Sequence, residues 1–211
     1  RRFGITFRRA WAIPLAIIVT YVAHWGAVTA YLPVRASEAG ADIGLYFAAD
    51  GLAIFLMRLP SGWLTNRVAT RTLVVTGALM TAVAIGILLF PLTTPLLVVS
   101  GLLGGAGGAI VMTPILVELS HRSTDADRGS AFALFSGSLA TAMALGSIGG
   151  APIVALLGMS AALGVGILLI FVSIGLTLSD PSLRRQGHGG PTDGGPTDHN
   201  HSDAEATAMA L

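Results

Sequence analysis

Three ionisable residues, His24, Asp50 and Arg58, fall inside long apolar stretches of this 211-residue sequence. At membrane depth such a side chain costs about 3 kcal/mol on insertion scales, so it normally faces a cavity or a partner. A carboxyl and an imidazole at one depth have the chemistry of a proton relay. At 1.5 Å per helical residue, His24 sits about 21 Å above the inner end of its span, taken at Ala10. Asp50 sits about 20 Å above the inner end of the next span, taken at Trp63, because that helix runs the opposite way. The shared level predicts that His24 and Asp50 approach each other across helices one and two. They would then form part of a protonation or substrate site, with Tyr21 and Trp25 as an aromatic wall. The alternative is that Asp50 is a structural hydrogen-bond partner and His24 a neutral histidine held by a backbone carbonyl. Tyr31 and Tyr46 could extend that wall, but their expected place is the outer interfacial belt. Arg58 lies about 8 Å from the inner end of its span, within snorkelling reach of the aqueous face, which points to a packing or latch role.

The elements that hold these residues follow from composition. Hydrophobic residues make up 53% of the chain and charged ones 11%, against roughly 25% charged in a soluble domain. A water-soluble globule is excluded on that balance. The basic residues, all arginine, nearly match the carboxylates and leave a formal charge of +1, so no nucleic-acid surface is indicated. Cysteine is absent, which removes disulfides, thiolate metal sites and cysteine nucleophiles. Residues 10–34 contain no Asp, Glu, Lys or Arg, and about 20 residues suffice to cross the hydrocarbon core. The runs 72–117 and 129–179 are equally free of charge and each is about two spans long. Pro91 and Pro95 break the first run, and Leu157-Gly158-Met159-Ser160 breaks the second. The prediction is an all-α polytopic membrane protein, a bundle of six transmembrane helices at 10–33, 44–63, 72–90, 95–117, 129–156 and 160–179. Residues 1–9 read as a basic cytoplasmic lead-in, 10–180 as the membrane domain and 181–211 as a disordered cytoplasmic tail.

Arginine sets the orientation, because short translocated loops lack it. With six spans, one side holds Arg1, Arg2, Arg8, Arg9, Arg67, Arg71, Arg122, Arg128, Arg184 and Arg185, and the other holds only Arg35. Both termini are therefore expected in the cytoplasm, with the protein in a bacterial inner membrane. The tail repeats Gly-Gly-Pro-Thr-Asp at 189–193 and 194–198, a polar composition that does not build a core. Its His188, His199 and His201 could catch a divalent metal, but three histidines in a polar segment more often do nothing specific, and no metal or cofactor is expected. Asn200-His201-Ser202 has the form of a glycosylation sequon, on the wrong side of the membrane to be used. The first residue is Arg and no signal-peptide pattern precedes the first span, so the chain is expected to be a fragment whose upstream portion ends in a basic cytoplasmic loop.

Between the second and third spans the chain reads Arg58-Leu-Pro-Ser-Gly62-Trp-Leu64-Thr-Asn66-Arg67-Val-Ala-Thr-Arg71. This resembles the Gly-x-Leu-x-Asp-Arg-x-x-x-Arg loop motif of the major facilitator superfamily, with Asn66 in place of the aspartate. A glycine there lets a neighbouring backbone approach, and the arginines hold the turn at the aqueous face. The resemblance covers residues 1–180 and implies helices seven to twelve of a twelve-helix transporter. It further implies alternating access against an N-terminal six-helix half, a small-molecule substrate and a proton gradient as the energy source, with efflux the favoured direction. In that frame Glu118 is the expected partner of Arg58, together with Arg67 or Arg71, in a cytoplasmic gate that also includes Arg128. Ala142-Met-Ala-Leu-Gly146-Ser-Ile-Gly-Gly150 partly resembles the glycine-rich fifth-helix signature of facilitator antiporters, with Ser147 where that signature has proline. Gly137, Gly146, Gly149 and Gly150 are read as helix-packing residues.

Other classes fit less well. The run Gly101-Leu-Leu-Gly104-Gly105-Ala-Gly107-Gly108 fails the Gly-x-Gly-x-x-Gly spacing at Ile110 and follows no strand. An intramembrane protease of the rhomboid type needs Gly-x-Ser-Gly, but Leu134 occupies the glycine position before Ser136 and Gly137. A self-contained half-size protein that dimerises through spans two and five to build its pore is the other alternative.

Overall fold

The computed structural model describes residues 7–184 and consists, over that range, of helices. Six are long and apolar enough to cross a membrane: α1 (Ala12–Glu38), α2 (Ile43–Thr65), α3 (Thr70–Ile87), α4 (Thr94–His121), α5 (Arg128–Leu157) and α6 (Met159–Ser179). Short 3-10 turns at Arg9–Trp11 and Pro181–Arg184 bracket them. Helices are the outcome expected of apolar runs in lipid, where every backbone N–H and C=O must be satisfied within the segment. Spans two to six fall within a few residues of their expected limits. Helix α1 differs by continuing through Pro33 to Glu38. Charge ended the apolar run at Arg35, but the helix persists because the Arg35 guanidinium reaches the Leu88 carbonyl at the end of α3, at 2.8 Å. That carbonyl is otherwise an orphan at the negative end of the helix dipole. Arg35→Gln is expected to lower stability by about 1 kcal/mol, read as a fall in unfolding temperature in detergent. An unchanged transition would show that water serves the carbonyl equally well.

The terminators act as their chemistry dictates. Asp42 caps α2 by accepting a hydrogen bond from the Gly44 N–H at 2.8 Å, and Pro95 stands in the first turn of α4 where its missing N–H costs nothing. Gly158 alone joins α5 to α6, at φ +83°, a backbone conformation that L side chains rarely adopt. Residues 181–184, assigned above to the tail, form a turn packed on α3, and Leu183 is buried. The remainder of the tail, with its three histidines, and residues 1–6 of the lead-in lie outside the described residues.

Helix packing is symmetric in a specific way. Extensive contacts join α1 to α5 and α6, and α4 to α2 and α3, while α3 meets α6. Exchanging α1 with α4, α2 with α5 and α3 with α6 reproduces the same set of neighbours. Because short connections make successive helices antiparallel, the two three-helix units run in opposite directions. Glycines set the tight seams. A Cβ on Gly26 would meet the Met143 carbonyl and one on Gly146 the Ala23 carbonyl, so α1 and α5 touch backbone to backbone. Gly101 and Gly105 of α4 stand in the same relation to the Tyr46 and Asp50 carbonyls of α2. In lipid such approach supplies dispersion contact where no hydrophobic drive exists. Apolar side chains remain open on α2 (Phe55, Leu59, Trp63) and on α5 (Ile148, Leu156), surfaces that lipid or another apolar segment covers without cost.

Candidate functional site

Helices α1 and α2 scarcely touch, and the space left between them is a cavity of about 240 Å³. Helix α1 contributes Tyr21, His24 and Trp25 to its wall, α2 contributes Tyr46 and Asp50, and α3 contributes Thr81. Gly104, Gly105 and Gly108 form the α4 side, Leu139 and Met143 the α5 side. The glycine run read as unfit for a nucleotide is thus divided by face. Gly101 and Gly105 admit α2, Gly107 admits Thr81 and the Gly77 carbonyl of α3, and Gly104 and Gly108 leave the cavity open.

Asp50 is 5% exposed, and its carboxyl has no hydrogen-bond or ion-pair partner among the described residues. A Cβ on Gly104 would stand 3.8 Å from its Oδ1, so the facing helix neither blocks nor satisfies it. His24 is equally buried, and its Nδ1 bonds the Tyr21 carbonyl one turn earlier. That oxygen only accepts, so Nδ1 carries the proton of this contact. Tyr21 packs edge-on to His24 at 5.2 Å and places its hydroxyl 2.7 Å from Thr81 Oγ1. His24 and Asp50 share the cavity as their common level predicts, but no bond joins them. Depth along a helix fixes height only, whereas the lateral gap is set by α1 seated on α5 and α6 and α2 seated on α4.

Phe47 joins the expected aromatic wall. Trp25 stacks with Tyr46 at a centroid distance of 6.3 Å, and Phe47 meets both rings edge-on. Tyr46 is 3% exposed, which corrects its assignment to the interfacial belt. The signal was present in the sequence: four residues before Asp50, Tyr46 lies on the same helix face. Tyr31 also turns inward, donating from its hydroxyl to the Ser147 carbonyl of α5 at 2.5 Å. Thr81 and Ser100, the latter bonded to the Ala84 carbonyl at 2.8 Å, are further wall residues that carry no recognisable spacing.

The motif between α2 and α3 takes the expected position but not the expected pairs. Asn66 ends α2, and its side chain has no hydrogen bond to α5 among the described residues. Arg67 stacks over the Trp63 ring at 4.2 Å. Gly62 faces open space, with no backbone beside it, and Leu64 is half-buried. Arg58 and Arg71 have no ion-pair partner among the described residues, and Arg128 pairs only with the nearby Asp125 at 3.4 Å. Glu118 accepts from Arg122 Nε at 2.7 Å instead of from Arg58, Arg67 or Arg71. The reason is register: Arg122 is one turn further along the same helix, where an i,i+4 pair forms without any other helix moving.

Arg122 is the residue whose role the sequence hid. Its guanidinium also donates to the Ala10 carbonyl at 2.8 Å, to Asp180 Oδ2 at 3.1 Å and to Ser182 Oγ, while Trp11 Nε1 donates to its carbonyl. One side chain therefore ties together the start of α1, the end of α4 and the end of α6. Asp180 sits outside the spans. Burial pushes its carboxyl up, but hydrogen bonds from Ser182 and from Arg122 outweigh that and hold it below the usual carboxylate value of 3.8.

Six membrane-spanning helices arranged as two inverted three-helix units around a central cavity define an integral membrane protein of the transporter class. The chain belongs to the Major Facilitator Superfamily, whose family model matches residues 10–198. That superfamily comprises transporters rather than enzymes. No curated protein matches the chain.

Proposed function

We propose that this chain is the C-terminal half, helices seven to twelve, of a proton-coupled secondary transporter that exports a small molecule by alternating access. The observation that carries the reading is Asp50, a buried carboxyl without a partner on the wall of the central cavity. In such a position protonation and deprotonation change the charge of the site itself, which is what coupling to a proton gradient requires. The open apolar faces of α2 and α5 supply the surface for an N-terminal six-helix half to rock against. The arginine-rich end, with both termini, lies in the cytoplasm of a bacterial cell, and the α3–α4 turn lies outside. Efflux suits the apolar wall better than uptake of a polar nutrient does.

The test is a proton-flux measurement on the full-length protein in proteoliposomes loaded with a pH-sensitive dye, using a panel of small organic compounds. Asp50→Asn is expected to abolish substrate-driven proton movement while the purified protein stays monodisperse. Coupling that survives the substitution refutes the role of Asp50. The half assignment is tested separately by reading the coding frame upstream of Arg1 for about six further apolar spans.

A further inference from the structure

The cavity holds one carboxyl and no arginine or lysine. The titratable groups facing Asp50 are Tyr21 and His24 from α1 and Tyr46 from its own helix. Helices α3, α4 and α5 present glycine, apolar side chains and the hydroxyls of Thr81 and Ser100. His24 is committed to the Tyr21 carbonyl and makes no ion pair with Asp50. A carboxylate in an apolar wall needs a compensating charge, and none of the groups around it provides one. What completes it is either a proton or a cation that enters from outside.

Its surroundings favour a particular kind of cation. Trp25 and Tyr46 both reach the cavity, are stacked on each other, and are braced by Phe47. Tyr21 adds a third ring. The face of an aromatic ring attracts a cation, most strongly where water is excluded. A small, strongly hydrated inorganic cation is usually held by several carboxylate or carbonyl oxygens at short range, whereas Asp50 is the one carboxyl on this wall. An organic cation carries its charge on an apolar body, which the wall accommodates. An anion is repelled by Asp50, and a neutral solute gains nothing from it.

We propose that this cavity binds a compact lipophilic organic monocation, its charged centre held between Asp50 and the rings of Trp25 and Tyr46, and that the cation and a proton occupy Asp50 in turn. The inference rests on the transport reading above and adds the substrate class to it. Exchange follows from the site: protonation removes the charge that holds the cation, and departure of the cation leaves a carboxylate ready for a proton.

Equilibrium binding on the full-length protein in detergent separates this claim from transport, because it needs no turnover. The probe is phenyltrimethylammonium, and N,N-dimethylbenzamide is the neutral comparison. At pH 8 the cation is expected to bind saturably and at least about tenfold more tightly than the amide, a difference of about 1.4 kcal/mol. Asp50→Asn should lose about tenfold or more, and Asp50→Glu, which keeps the charge, should retain binding within about threefold. Trp25→Ala should weaken the cation by about two- to thirtyfold, the span of one cation–π contact. Lowering the pH to 5.5 should weaken binding to the wild type and leave the residual binding of Asp50→Asn unchanged. Absence of saturable cation binding at pH 8, equal affinity for the amide, or full affinity in Asp50→Asn overturns the proposal. If Asp50→Asn fails to fold, the comparison of cation with amide on the wild type still decides. Asp50-dependent cation binding without any proton movement would refute the transport reading and leave the site standing. Proton-coupled movement of neutral solutes alone would do the reverse.

Discussion

Replacing Gly146 with valine should force α1 and α5 apart and cost about 3 kcal/mol or more, at the upper end of what overpacking does in a closed interior. The reason is geometric. A Cβ at Gly146 would fall on the Ala23 carbonyl, with the backbone N of Ala27 only 3.2 Å away. Both obstacles are backbone, so no rotamer change relieves the overlap and the helices must separate. Separation also draws Gly26 away from Met143, the second contact of the same seam, so dispersion is lost along the whole interface. The internal control lies three residues on. Gly149 has nothing within 4 Å of its hypothetical Cβ, and Gly149→Val should change stability by less than about 1 kcal/mol. Thermal unfolding in detergent should therefore show a large fall for the first variant and almost none for the second. Similar transitions in both would mean that α1 and α5 are not in backbone contact. Since Trp25 of α1 and Met143 of α5 both line the cavity, the Gly146 variant should also lose substrate binding in any folded fraction.

Those two glycines show what the sequence could and could not deliver. The small-residue composition of span five identified it as a packing helix, because in lipid only close backbone approach rewards so many glycines. It could not distinguish Gly146 from Gly149, or either from Gly137. That distinction depends on which face meets α1, and the near-uniform apolarity of a membrane helix erases the pattern that would reveal it. The spans were legible for the complementary reason: charge exclusion from hydrocarbon is a strong, local and one-dimensional signal. Depth was legible too, since rise per residue is fixed, and His24 and Asp50 do line one cavity. Lateral placement was not, and this accounts for each expected pair that failed. Glu118 was assigned partners by side of the membrane, and all arginines of that end were equivalent on that criterion. In the fold Arg122 takes it, because i,i+4 proximity on one helix outcompetes any contact that depends on how two loops lie. Tyr46 differs, since its place four residues before Asp50 put it on that residue's face. A tyrosine near a span's outer end is usually interfacial, but the α2–α4 seam built by Gly101 and Gly105 turns the shared face inward.

Arg122→Ala is the second substitution expected to have a large effect, about 2 kcal/mol of destabilisation, below the range for a fully buried ion pair because this network is partly open to solvent. The side chain is 15% exposed and its partners Glu118 and Asp180 are 19% and 7% exposed, so solvent screens the loss only partly. Truncation takes the Arg122 donor from Glu118, the Ala10 carbonyl and Asp180, although Asp180 keeps its hydrogen bonds from the Ser182 N–H and hydroxyl. Arg122→Lys should recover less than half of the loss, because one ammonium cannot span the fork that a guanidinium presents to three elements. The pH dependence has a definite sign. Asp180 has its carboxyl lowered in the folded chain relative to the usual 3.8, so it contributes stability above that value and loses the contribution as pH falls through its lower folded value. The gap in unfolding temperature between wild type and Arg122→Ala should therefore be full at neutral pH and shrink as the pH falls from about 4 through the lower folded value of Asp180, beneath which that carboxyl is protonated in both. A gap that persisted unchanged to pH 2 would assign the loss to the packing of the arginine stem and to its bonds with the neutral Ala10 carbonyl and Ser182 hydroxyl, not to the carboxylates. In that case the ends of α4 and α6 and the start of α1 would be held without help from the ion pairs. Trp11, Leu15, Leu119 and Ala131, all buried beside them, would then be the residues to truncate.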